Sequence, residues 1–191
     1  MDISICVSFG LLEEEDFRKV KEAGAVRVHN NLEASEGYFP KVCTTHTQKD
    51  KIEALKAARN SGLSICSGGI MGLGESMEDR IDLALTLREL GVNSIPVNML
   101  NPIAGTPYEK NPRLTVEEMC RIVAIFRFIL PKSFIRLAGG RGLMEDQGRR
   151  CFQSGANAAI TGDMLTTTGI TIQRDMEMLK ELGYQVVKEC E

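Results

Sequence analysis

Side chains able to do chemistry recur in stretches that are otherwise apolar. In Val28-His29-Asn30-Asn31-Leu32-Glu33, alternation along a strand puts His29, Asn31 and Glu33 on one side and Val28 with Leu32 on the other. Cys66 sits in Ile65-Cys66-Ser67, Asn98 in Pro96-Val97-Asn98-Met99 and Arg136 in Phe134-Ile135-Arg136-Leu137. A strand buried in a parallel sheet reads as a nearly continuous Val, Ile and Leu run, and these do not. An unpartnered buried Asn, Glu or Arg costs on the order of several kcal/mol, so such groups persist where they are paired or used. Taken singly, each has a bland reading. Cys6 and Cys66 are small buried hydrophobes, His29 is a core hydrogen-bonder, Asn31 with Glu33 ends a strand at a solvated rim, and Arg136 is an ion-pair partner. Their recurrence in successive strands points instead to a polar cavity at strand C-terminal ends, where barrel enzymes place their sites.

A second candidate is the turn Ser67-Gly68-Gly69-Ile70-Met71-Gly72-Leu73-Gly74-Glu75, which lets backbone approach a ligand closely. It lacks the Gly-Lys-Ser/Thr of a phosphate-binding loop and the glycine order of the dinucleotide fingerprint. No zinc-spaced His/Cys cluster, Cys-x-x-Cys or Gly-x-Ser-x-Gly elbow is present.

The elements that must position these groups follow from periodicity. Strands are expected at Ile3 to Phe9, Ala25 to Leu32, Leu63 to Ile70, Ser94 to Leu100, Phe134 to Gly139 and Asn157 to Gly162. Leu12-Glu13-Glu14-Glu15-Asp16 opens the first helix with acid at its positive end, and Ala23-Gly24 closes it. Helices follow over Asp50 to Ser61, Met77 to Leu90, Thr115 to Leu130, Gly142 to Ser154 and Thr171 to Leu182; Thr115-Val116-Glu117-Glu118 has capping-box spacing. Loops are expected at Asn101 to Pro112 and Thr166 to Gly169. The repeated strand-helix-strand phrase implies a parallel sheet with right-handed crossovers in a single domain over 1–191. Six units fit an open doubly wound sheet or part of a barrel. A closed barrel of this class has eight strands and about 250 residues, and Met1 falls almost inside the first strand, so the expectation is a chain short by two units.

The 191 residues are 43% hydrophobic and 26% charged with a formal charge of -3, an ordinary globular composition. That balance argues against a nonspecific nucleic-acid grip and a polybasic membrane anchor. No run of about 18 apolar residues and no basic leader occurs, so the default expectation is a cytoplasmic protein. Six cysteines (Cys6, Cys43, Cys66, Cys120, Cys151 and Cys190) in such a chain read as thiols rather than as a disulfide framework.

Seven ordered blocks resemble the biotin synthases, a family of radical S-adenosylmethionine (SAM) enzymes. They are Cys6-Val7-Ser8-Phe9-Gly10-Leu11-Leu12, His29 to Ser35, Cys43-Thr44-Thr45-His46-Thr47, Cys66 to Glu75, Pro96 to Pro107, Arg136 to Arg141, and Gly155-Ala156-Asn157 with Gly162-Asp163. The resemblance implies a TIM-type (β/α)8 barrel, here a partial barrel of about six βα units that includes a biotin and thiamin synthesis-associated region. It implies a sulfurtransferase that converts dethiobiotin to biotin: SAM on a 4Fe-4S cluster yields a radical, and a 2Fe-2S cluster gives sulfur. By resemblance Cys6, Cys66 and Arg136 are 2Fe-2S ligands; Asn31, Glu33, Lys51, Ile70 and Leu73 contact SAM; and Asn98 faces dethiobiotin. Soft thiolates suit iron-sulfur chemistry. A guanidinium has no lone pair to give, so Arg136 as a ligand needs local deprotonation or a long contact. A flavodoxin or ferredoxin electron donor and a homodimer are also implied.

Departures from the family pattern qualify this. The Cys-x-x-x-Cys-x-x-Cys motif that holds the 4Fe-4S cluster and the third 2Fe-2S cysteine are absent from the 191 residues, so the chain alone is expected not to cleave SAM. Lys51 stands where an arginine is usual, Glu33 where an Asp is common, and Gly142 where an acidic residue often follows Arg141. Two alternatives stay open. One is a related radical SAM enzyme of methylornithine synthase or hydrogenase-maturase type. The other is a non-catalytic half-barrel that pairs with a separately encoded N-terminal half.

Overall fold

The structure, a computed structural model, describes residues 3–162 and 169–187. Asp163, most of the loop expected over 166–169, and Cys190 lie outside the described residues. The chain runs β1 (Ile5–Val7), α1 (Glu14–Glu22), β2 (Ala25–His29), α2 (Phe39–Val42), α3 (Gln48–Asn60), β3 (Ser64–Cys66), β4 (Gly69–Met71), α4 (Met77–Glu89), β5 (Ser94–Met99), α5 (Val116–Ile129), β6 (Phe134–Leu137), a 3-10 turn (Arg141–Leu143), α6 (Arg149–Gln153), β7 (Ala158–Ala159) and α7 (Ile172–Glu181).

One parallel sheet in the order β1-β2-β3-β5-β6-β7 joins the strands, and β4 pairs with β5 beyond the end of β3. β3 and β4 are the two halves of the expected strand from Leu63, interrupted at Ser67-Gly68. Glycine is required there because backbones nearly touch. A Cβ on Gly68 would lie 1.9 Å from the Pro96 carbonyl oxygen, and one on Gly69 would lie 2.5 Å from that of Glu33.

Helices are seated by their own sequence. Thr47 with Asp50, Ser76 with Asp79 and Thr115 with Glu118 form reciprocal capping boxes at the starts of α3, α4 and α5. From α5, Met119, Ile122, Val123 and Phe126 are buried at the three- and four-residue spacing of one helical face. Each such side chain removes apolar area worth about 1.5–3 kcal/mol from water.

Those residues share a single hydrophobic cluster with Phe17 of α1, Leu55 of α3, Leu83 and Leu87 of α4 and Phe152 of α6. The sheet contributes Val28, Ile65, Ile95, Val97, Ile135 and Leu137 to it. A doubly wound sheet divides its helices between two faces. Here α1 and α3 to α6 all add to one cluster on one face of the sheet, which is the arrangement of a partial barrel and decides between the two architectures.

Three expected elements differ. β2 ends at His29 rather than Leu32, because Glu33 adopts a left-handed conformation with φ 67° and the chain leaves the strand. The helix expected over Gly142 to Ser154 is a 3-10 turn followed by the short α6. Gln147 and Gly148 both have positive φ there, and the Asp146 carboxylate accepts the amides of Gly148 (3.0 Å) and Arg150 (2.8 Å), which starts a new helix. The last strand is only Ala158–Ala159. Among the described residues, no helix is long and apolar enough to cross a membrane.

Candidate functional site

Residues paired in register across a parallel sheet point to the same face. The pairs Cys6 with Arg27, His29 with Cys66, Cys66 with Ser94, and Pro96 with Arg136 therefore place Cys6, Arg27, His29, Cys66, Ser94 and Arg136 on the face opposite the helices. Ile70 and Asn98 pair one step further along that face.

The first group forms a connected set. Arg136 Nη2 donates to Ser94 Oγ at 3.2 Å, Ser94 Oγ donates to Cys66 Sγ at 3.3 Å, and His29 Nδ1 lies 3.4 Å from the same sulfur. Cys66 and Ser94 are buried, and His29 and Arg136 are half-buried. Cys6 lies at the edge strand, reachable by solvent. Crowding on its inner side pushes its thiol up, the nearby Cys66 adds to that, and Arg27 and Arg136 pull it down. Burial lowers the basicity of His29, helped by the positive charges of Lys51 and Arg136.

A second group lies just past the strand ends. Asn31 Oδ1 accepts the Gly68 amide at 3.0 Å, and Asn31 also hydrogen-bonds the Glu33 carboxylate. The Glu33 backbone is stitched to the glycine turn: its amide donates to the Gly68 carbonyl at 3.1 Å and its carbonyl accepts from Ile70 N at 2.9 Å. Burial pushes the Glu33 carboxyl up, against the opposing pull of Lys51 and the Asn31 bond. Lys51 Nζ donates to Asn30 Oδ1 at 3.2 Å, and Asn30 Nδ2 donates to the Gly10 carbonyl at 3.4 Å, tying the loops after β1 and β2 together. Ile70 is half-buried, and Leu73 is buried with its carbonyl accepting from Tyr38 OH at 3.0 Å.

Asn98 occupies the third place. Its Nδ2 donates to the Gly69 carbonyl at 3.1 Å and its Oδ1 accepts the Gly139 amide at 2.9 Å. The side chain thus bridges β4 and the end of β6. One N–H and one lone pair remain for anything else.

Several atoms in these groups are left over. Glu33 Oε2, Arg136 Nε and Ser67 Oγ are buried without a hydrogen-bond partner, and a non-glycine residue held at φ 67° is a strained conformation of the kind found at functional sites. Buried polar atoms without partners are what a bound polar ligand would satisfy. Among the described residues no three His, Cys, Asp or Glu side chains are grouped to hold a metal ion.

The sheet carries Cys6, Cys66 and Arg136 on one face, with Ile70 of β4 and Asn98 of β5 further along it, while Asn31, Glu33 and Leu73 lie on the loops past the strand ends and Lys51 reaches in from α3. Cys43, Cys120 and Cys151 stand apart on a loop and two helices. Two residues escaped the sequence reading. Arg27 and Ser94 each lie an even number of positions from a flagged neighbour, His29 and Asn98, and the period of two that singled out those neighbours reaches them as well.

A parallel sheet with its helices on one face is part of a TIM-type barrel. The model of the Radical SAM superfamily matches residues 1–87, and that of the Biotin and Thiamin Synthesis associated domain matches 96–185. The chain is 67% identical over 182 residues to a biotin synthase of Brachyspira hyodysenteriae, covering 95% of this chain and 55% of the relative. It is 62% identical over 184 residues to biotin synthase 2 of Corynebacterium diphtheriae, covering 96% and 56%. The chain is thus homologous to biotin synthases over most of its length, and it spans about half the length of the curated relatives it matches. Among solved structures, a methylornithine synthase superposes with a TM-score of 0.79 at 19% identity, covering 97% of this chain and 59% of that one. The FeFe-hydrogenase maturase of Carboxydothermus hydrogenoformans gives 0.76 at 16%, covering 95% and 47%. At those identities the likeness is one of fold.

Proposed function

We propose that the chain supplies, as one domain over 1–191, the 2Fe-2S side and part of the SAM and dethiobiotin sites of a biotin synthase that converts dethiobiotin to biotin. When bound, a 4Fe-4S cluster with SAM supplies the hydrogen-abstracting radical, and a 2Fe-2S cluster supplies the sulfur. The chain's own residues bind and orient. Cys6 and Cys66 hold iron as thiolates. Ser94 and His29 fix the direction of the Cys66 sulfur, and Ser94 also anchors the Arg136 guanidinium, whose Nε is buried without a partner.

Glu33 and Asn31 bind the amino group and ribose hydroxyls of SAM, with Lys51 balancing the Glu33 charge and Ile70 and Leu73 beside the adenosyl group. The two backbone bonds of Asn98 hold its amide still, and the remaining N–H and lone pair face the ureido ring of dethiobiotin. A flavodoxin or ferredoxin donor, a homodimer and a cytoplasmic setting belong to the same reading.

The observation that carries this reading is the unbroken contact chain from His29 through Cys66 and Ser94 to Arg136 on the face that the helices do not cover. It is tested by replacing the matched region of the Brachyspira hyodysenteriae relative with this chain and measuring biotin formed from dethiobiotin. Biotin formation by the hybrid, lost in Cys66→Ala, is expected. A hybrid that cleaves SAM yet makes no biotin, or a Cys66→Ala hybrid that makes it at an unchanged rate, contradicts the reading.

A further inference from the structure

On the helix side of the sheet two thiols meet that the proposed chemistry does not use. Cys120 of α5 and Cys151 of α6 are 31 residues apart in sequence, with their sulfurs 3.9 Å apart. Cys151 is fully buried in the hydrophobic cluster, and Cys120 is half-buried at its margin. We propose that Cys120 and Cys151 are a modification site, an oxidisable pair that a peroxide closes to an intramolecular disulfide latching α5 to α6.

The step balances. The Cys120 sulfur gives an electron pair to a peroxide oxygen, the O–O bond breaks, and one water leaves a sulfenic acid on Cys120. The Cys151 sulfur then attacks the Cys120 sulfur. The S–S bond forms as the S–O bond breaks, and the oxygen departs as a second water with the Cys151 proton. Two thiols are oxidised and one peroxide is reduced.

Accessibility sets the order. Cys120 is the end that solvent reaches, whereas burial first, and then Cys120 itself, push the Cys151 thiol up, so that it waits as the resolving partner. Sulfurs at 3.9 Å need to close to about 2.05 Å, a movement within reach of side-chain rotation on two packed helices. α6 also carries Phe152, whose carbonyl accepts from Tyr184 OH at 3.0 Å and whose ring meets that of Tyr184 edge-on at 5.6 Å. The latch therefore ties α5 to the segment that seats residues following α7.

Cys43 is the built-in contrast. Hydrogen bonds from Thr45 and His46 hold its thiol below the usual range, so it is the readier thiolate, but its sulfur contacts Thr45 and His46 and no second thiol among the described residues. Peroxide at Cys43 gives a sulfenic acid that no neighbouring thiol among the described residues can close to a disulfide.

The test is hydrogen peroxide treatment of the folded chain, alkylation of remaining thiols and mass mapping of the tryptic peptides. A Cys120–Cys151 linked peptide is expected, lighter by two hydrogens than its parts and reopened by dithiothreitol. Cys120→Ser should abolish it while the circular dichroism stays that of the parent. Because Cys151→Ser alters a buried position, the partly exposed Cys120→Ala serves as the second variant. Linkage that appears only in denaturant, or oxidation confined to other thiols of the folded chain, overturns the proposal.

Discussion

The two faces of this sheet are built to different rules. Val28, Ile65, Ile95, Val97, Ile135 and Leu137 point into a closed apolar cluster with the helices, while Cys6, His29, Cys66, Ser94, Asn98 and Arg136 point the other way, and Arg136 Nε among them is buried without a partner. Successive residues of one strand serve both faces, as Ile65 and Cys66 or Ile135 and Arg136 do. The helix-covered face carries the stability, because close packing makes each missing methylene felt. The opposite face holds polar side chains and thiols in place of that packing, the mark of a surface shaped for something else to bind.

Substitutions on the two faces should therefore differ sharply. The largest effect is expected from Phe126→Ala, which empties a fully buried position of α5 and should cost about 3–5 kcal/mol in urea unfolding. Asp175→Asn comes next. It leaves Arg141 buried without the carboxylate it now holds at 2.8 and 2.5 Å, and it should cost about 3 kcal/mol by the same measurement. Thr115→Ala removes the α5 cap and should cost about 1 kcal/mol. On the polar face, Arg136→Met should move stability by no more than about 1 kcal/mol, the worth of its single hydrogen bond to Ser94. A loss there as large as that of Phe126→Ala would break the contrast between faces.

Glu33→Gln should act in the opposite direction. Burial raises the folded carboxyl above its ordinary value of 4.5, so the wild-type fold is favoured by protonation and loses stability as pH climbs through the raised value. The Gln variant should unfold at higher denaturant than the parent at neutral pH, with the advantage fading as pH falls to 4.5 and below. An advantage independent of pH would mean that the Glu33 charge is already well compensated.

Much of this layout is readable from the residues. Period-two anomalies at Cys66, Asn98 and Arg136 mark the polar face, because strand alternation carries through packing unchanged. The approach of His29, Asn31 and Glu33 is legible as an outcome and misread as a mechanism: β2 stops at His29, and Glu33 arrives by a left-handed turn that side-chain pattern does not encode. Asn98 is similar. Its amide type suggested a ligand contact, yet half of its bonding capacity goes to Gly69 and Gly139, partners that only the tertiary arrangement brings close. The break at Asp146-Gln147-Gly148 is visible as turn chemistry in hindsight, since an Asp ahead of a Gly is a common helix start. The side on which the helices pack is a three-dimensional property that the repeat alone left undecided.

The central claim is that Cys6 and Cys66 on the uncovered face are the iron-binding thiols, and the others are not. It is tested most directly by the iron content, after anaerobic reconstitution with iron and sulfide, of the hybrid in which this chain replaces the matched region of the Brachyspira hyodysenteriae relative. Cys6→Ala and Cys66→Ala should each lose the iron of a 2Fe-2S cluster together with its visible absorption, while Cys43→Ala and Cys120→Ala keep both. Full iron in the first two variants, or loss in the second two, would contradict the account.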